Sequence, residues 1–208
     1  MDKKLLAITI LTIFGVNNIQ AWWWSSTPQI VNDRLQQLDT TIADTPINSA
    51  EHYGALRARE DLIKNERPFR GKSLVVQQRL IELNEHEQNA FATMHANSND
   101  QAAKQQLEGV TFATAALRWG SWLTGSKKPA VQEELVDANK DLEQSWPLYA
   151  RGDNGSHSTS RALENERIYG RALAKYDAAF RKSGSWLYRI ANWFFPVIKK
   201  SSAELPQQ

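Results

Sequence analysis

Between Lys72 and Ala96 the chain reads KSLVVQQRLIELNEHEQNAFATMHA, a stretch with no glycine and no proline. Val76, Leu80, Leu83, Ala90 and Met94 recur there at the spacing that keeps one stripe of a helix apolar, and Glu87 is the one polar interruption. The run is too long for a strand and shows no alternation of apolar and polar residues. A helix over about 72–96 is predicted, and the segments on either side repeat its pattern.

Upstream, Thr27-Pro28 predicts a cap and first-turn pair for a helix carrying Val31, Leu35, Leu38 and Ile42, which Thr45-Pro46 stops. A second helix is expected from Asn48, where Glu51 would complete a capping box, through Tyr53, Leu56, Leu62 and Ile63 to the break at NERPFRG. Downstream, Ser98 and Gln101 form another box, opening a helix through Ala103, Leu107, Val110 and Leu117 to Leu123. Pro129 starts a fifth, with Val131, Leu135, Ala138, Leu142 and Trp146, closed by Pro147. RGDNGSHSTS, residues 151–160, has turn formers throughout and reads as an exposed loop. Tyr169, Leu173, Tyr176 and Phe180 then mark a long helix that pauses at Ser183-Gly184. The apolar stripes read as core. The class is all-α, an antiparallel helical bundle of about six or seven helices.

The bundle is expected to follow a signal peptide. MDKK is a basic start, LLAITILTIFGV carries no charge, and NNIQA closes on a small residue, so residues 1–21 have the three-part pattern of an export signal with cleavage after Ala21. The apolar run falls short of the ~20 residues a spanning helix needs. Residues 22–208 then form a single helical domain. Its loss of Lys3, Lys4 and Asp2 leaves 23 basic and 22 acidic residues, a balance that points to no polyanionic partner. The chain has no cysteine, which excludes thiolate catalysis, thiolate metal sites and disulfide staples.

Catalytic motifs are sparse. His86-Glu87 begins a zinc-protease pattern, but Ala90 stands where the second histidine belongs. No glutamate lies three residues before any of His52, His86, His95 or His157, as a di-iron bundle requires. No metal and no cofactor is implied. Glu82 and His86 share a helix face with Glu85 and Glu87 beside them, a pattern that suits a solvated acidic face and leaves an acid/base pair as the alternative. Arg151-Gly152-Asp153 and Asn154-Gly155-Ser156 match an integrin-binding tripeptide and a glycosylation acceptor, both short enough to arise by chance.

The remaining signal is aromatic. GSWL occurs at Gly120–Leu123 and again at Gly184–Leu187. From Val110 to Leu123 the only charge is Arg118, and from Ser185 to Ile198 the only charge is Arg189. Residues 185–200 form a Trp-rich amphipathic helix whose Trp186, Leu187, Ile190, Trp193 and Phe194 cover most of its circumference, with Arg189 on the polar stripe and Lys199 and Lys200 after it. Such a helix either closes the bundle, with its tryptophans buried and its lysines solvated, or lies in the interface of an anionic bilayer, which an aromatic helix flanked by basic residues suits. Trp22, Trp23 and Trp24 would begin the mature chain, and adjacent residues cannot all enter one core stripe.

The expectation is an exported protein, periplasmic or secreted and peripheral on a membrane, that acts by binding rather than catalysis. Its partner would be a membrane surface or an envelope protein, and not nucleic acid, because the basic residues accompany an apolar face and no groove-reading motif. Trp186, Leu187, Arg189, Ile190, Trp193, Phe194, Lys199 and Lys200 are the candidate contact residues. The alternatives are a cofactor-free hydrolase using carboxylates and His86, and tryptophan-mediated binding of an envelope glycan or a protein partner.

Overall fold

The structure, a computed structural model, describes residues 27–65, 69, 72–124, 128–150 and 159–184, without the side chains of 146–150 and 159–166. The signal segment, Trp22 to Trp24, and the candidate contact residues of 185–200 lie outside the described residues. The fold is the expected all-α bundle, with six helices and no strand among the described residues. They are α1 (Gln29–Asp44), α2 (Ala50–Lys64), α3 (Leu74–Ala96), α4 (Gln101–Thr124), α5 (Pro129–Ala150) and α6 (Thr159–Ser183).

Caps fix where the helices begin, and three differ from the sequence reading. Ser49, not Asn48, caps α2, its Oγ accepting from the His52 amide at 3.1 Å. Asp100, not Ser98, serves α4, its Oδ1 accepting from the Ala103 amide at 2.9 Å. Pro28 precedes α1 with no side-chain cap. Each true cap stands one or two residues from another residue equally able to cap, so local chemistry leaves the choice to the packing register. Pro147 does not close α5, which continues to Ala150; near a C-terminus a proline forfeits a single ladder bond to the preceding turn. Thr159 and Ser160, read as loop, open α6.

The buried face of α2 also departs from expectation. Tyr53, Leu56 and Ile63 are exposed, while Gly54, Ala55, Ala58 and Leu62 face the core. Small residues are needed because α2 and α3 nearly touch: a Cβ on Gly54 would sit 2.5 Å from the Gln88 carbonyl oxygen. Elsewhere the predicted stripes are buried, with Val31 and Leu38 on α1, Val76, Leu80 and Leu83 on α3, Val110 and Leu117 on α4, and Leu135 and Leu142 on α5.

Each helix packs on its successor, and contacts between alternate helices join α1 to α3, α3 to α5 and α4 to α6. The odd-numbered helices therefore form one layer and the even-numbered helices the other, an arrangement in which each unit meets chiefly its neighbours. Two buried polar clasps run through it. Arg79 on α3 donates from Nε to Asn139 Oδ1 on α5 at 3.0 Å, from Nη1 to Glu82 at 3.1 Å and from Nη2 to Glu143. Asn139 Nδ2 in turn donates to the Ala113 carbonyl on α4 at 2.7 Å. Arg34 on α1 repeats the pattern: Nε to Asn84 Oδ1 on α3 at 3.2 Å, Nη1 to Gln37 at 2.8 Å, Nη2 to Gln88 at 2.6 Å, and Asn84 Nδ2 to the Ala58 carbonyl on α2 at 2.9 Å. Each clasp ties three successive helices through one guanidinium and one amide.

The amide side of this recurrence is a repeat of the chain itself, while the arginines Arg34 and Arg79 stand 45 residues apart. Ala58 and Ala113, Asn84 and Asn139, and Gln88 and Glu143 all stand 55 residues apart. At the same offset Gly54 meets Gly109, Leu62 meets Leu117, Val76 meets Val131 and Leu80 meets Leu135, and every one of these residues is buried. The hairpin α2–α3 thus recurs as α4–α5. The two GSWL strings stand 64 residues apart and belong to a different register.

Candidate functional site

The repeat creates two equivalent grooves, one between α2 and α4 over α3, the other between α4 and α6 over α5. In the second groove Leu142 is buried on the floor and Tyr176 of α6 closes the side. A Cβ on Gly120 would meet Leu135 at 3.0 Å and the Tyr176 ring at 3.1 Å, so there is no room to spare. The Tyr176 hydroxyl accepts from Asn139 Nδ2 at 3.1 Å, and burial pushes that phenol up to about 12.

The first groove is open. A cavity of about 230 Å³ lies there, lined by Asp61 and Asn65 of α2, Glu87 and Asn84 of α3, and Thr111 and Arg118 of α4, over an apolar floor that includes Phe69 and Leu80. Helical spacing gathers these groups: 61 and 65, 80, 84 and 87, and 111, 115 and 118 each follow one face of their helix. Where the first groove has Asp61, Asn65 and Glu87, the second has Ala116, Gly120 and Leu142, 55 residues on. The same backbone frame is filled in one copy and hollow and ionisable in the other.

The electrostatics follow from burial. Asp61 from α2 and Glu87 from α3 both line the cavity, and a hydrogen bond between two carboxyl groups requires a proton on one of them. Burial first, then that bond and the Asp61 charge, push the Glu87 carboxyl up to about 8, against the pull of Arg118 and of a hydrogen bond from Asn84. Arg118 donates from Nη1 to Asn65 Oδ1 at 2.8 Å. Its buried Nε has no hydrogen-bond partner among the described residues. Burial lowers the Arg118 guanidinium from its ordinary value, offset by the charges of Glu87 and Asp61.

His86 and Glu82 do not line this cavity. Glu82 is bound to Arg79, and His86 lies half-exposed with Nδ1 2.7 Å from Glu143 Oε1, so both belong to the outer edge of the α3–α5 clasp. Sequence reasoning missed the cavity, although its signal was visible: Glu87 is the lone polar residue in the stripe of α3, and Arg118 the lone charge between Val110 and Leu123. Trp119 and Trp122, one and four residues beyond Arg118, are exposed and meet edge to face at 5.8 Å between ring centroids. Among the described residues no helix is long and apolar enough to cross a membrane. No known protein family, curated protein or solved structure matches this chain.

Proposed function

We propose that this is an exported binding protein whose helical-hairpin repeat holds a small polar ligand between α2 and α4, and whose segment 185–200 holds it to a membrane or envelope surface. The observation that carries the first half is the contrast between the two grooves. Burying carboxyl and guanidinium groups costs several kcal/mol per charge unless partners compensate, and the second groove fills the same frame with Ala116, Gly120 and Leu142. Retaining Asp61, Glu87 and Arg118 around an open cavity therefore serves something other than the fold. An apolar-floored pocket with a few convergent polar groups is the usual form of a small-ligand site. The second half rests on the aromatic run with Arg181 and Lys182 before it and Lys199 and Lys200 after it. A hydrolase working through His86 has less support, since that ring pairs with Glu143 away from the cavity.

The test transplants the second groove into the first. Asp61→Ala, Glu87→Leu and Arg118→Leu together, matching Ala116, Leu142 and Leu173 of the second groove, should raise the melting temperature and abolish the fragment hits that ligand-observed NMR finds on the wild-type protein. Equal hit lists for the two proteins would remove the cavity as the binding site. For the surface contact, Trp193→Ser with Phe194→Ser should abolish flotation with vesicles containing phosphatidylglycerol while leaving the melt unchanged. A large fall in melting temperature, with no flotation of the wild type, would instead assign those rings to the core.

A further inference from the structure

Within that reading, we infer that the ligand of the α2–α3–α4 cavity carries a protonated amine, which pairs with the Asp61 and Glu87 carboxyl groups of the lining. The argument is one of charge. Asp61 from α2, Glu87 from α3 and Arg118 from α4 are the ionisable groups that line the cavity, and together they can supply two negative charges against one positive. With a proton on one of the carboxyls the set is neutral, and an anionic ligand would leave one uncompensated negative charge in a half-buried space. A ligand ammonium restores neutrality with both carboxylates ionised. The displaced proton leaves to solvent, so the exchange is one cation for another.

The rest of the lining suits such a guest. An ammonium has three donors and no acceptor, and the acceptors in the cavity include the Asp61 and Glu87 carboxylates and the hydroxyls of Thr111 and Thr114. Leu62, Phe69 and Leu80 offer an apolar wall to a short carbon chain. A divalent metal ion is disfavoured by the Arg118 guanidinium, whose Nη1 is held by Asn65 and cannot swing clear without breaking that bond. Asn65 itself spends its side-chain oxygen on the arginine and has none left for a metal.

The proposal has a signature that a simple polar pocket lacks. Because the amine competes with a proton, its apparent Kd should fall about tenfold for each pH unit between 6 and 7.5 and level off once the pair has lost that proton. Titration calorimetry of the full exported chain with n-butylamine, in buffers of different ionisation enthalpy, should find close to one proton released per amine bound at the lower pH. Glu87→Gln keeps the shape and removes the exchangeable proton, so binding should weaken and lose its pH dependence while the protein still melts cooperatively. Butyrate and n-butanol serve as the matched anion and neutral probes. If either binds while butylamine does not, or if butylamine binds with no proton released, the cavity stands as a ligand site and the amine inference falls. If none of the three binds, both fall.

Discussion

The double-mutant cycle at Arg79 and Asn139 probes what holds the two layers together. Asn139 is fully buried, and its amide makes three bonds: it accepts from Arg79 Nε at 3.0 Å and donates to the Ala113 carbonyl at 2.7 Å and the Tyr176 hydroxyl at 3.1 Å. A bond to a charged group contributes about 1.5–3 kcal/mol and a neutral one about 1, so Asn139→Ala should destabilise by roughly 3–5 kcal/mol. Arg79→Met should lose a comparable amount, because it takes the guanidinium from the Glu143 carboxylate, whose side chain is only 13% exposed, and leaves it the His86 ring. The coupling between the two sites should be about 1.5–3 kcal/mol. Urea titrations of the wild type, both single variants and the double variant measure it, provided the slope of the transition stays constant. A coupling within about 0.5 kcal/mol of zero would falsify the clasp as a unit. The matching change Arg34→Met should be the milder of the two, because the carboxylate it releases, Glu85 at 3.8 Å, is 47% exposed and its other partners Gln37, Asn84 and Gln88 are neutral amides.

Three further outcomes follow from the packing and the charges. Gly54→Ala should destabilise by about 1–3 kcal/mol or more, since its Cβ would press on the Gln88 backbone oxygen and no side chain can yield; an unchanged thermal melt would mean that α2 and α3 do not approach so closely. Glu87 ionises near 4.5 when unfolded and about 8 when folded, so the native state keeps a proton the unfolded chain has released. Stability should therefore fall as pH rises from about 4.5 to about 8, and this slope should vanish in Glu87→Gln when urea midpoints are compared across that range. A wild type and variant with the same slope would contradict the buried carboxyl pair. Trp119→Ser with Trp122→Ser removes two exposed rings and should move the melt little; a loss of several degrees would place those rings in contacts the fold depends on.

The helices were legible in the sequence because their signal is local. A 3.6-residue period needs only a few turns to declare itself, and Val76 to Ala90 or Val131 to Leu142 does so unaided. Where two chemistries compete locally the sequence is silent. Asn48 and Ser49 can both cap, and so can Ser98 and Asp100, and the packing of the following helix selects between them. Tyr53, Leu56 and Ile63 of α2 pointed to the wrong face for a related reason: the approach of α3 demands Gly54, Ala55 and Ala58, and nothing in α2 alone announces that neighbour.

The repeat and the cavity needed the tertiary structure. The repeat is kept chiefly at positions four residues apart, so no word longer than Val-Gln (76–77 and 131–132) survives it, whereas GSWL, a longer word, lies in another register. Glu87 and Arg118 were each conspicuous in an apolar stretch, whereas Asp61 follows Arg59 and Glu60 in a charged run and carried no such mark. Sequence alone could not join them, for Asp61, Glu87 and Arg118 sit on three helices and meet only because the clasps set α2 and α4 over α3 in a common register. A period along one helix is written by the backbone geometry of a few adjacent residues, while proximity between helices is decided by how whole faces pack, and only the second brings two carboxyl groups and a guanidinium into one cavity.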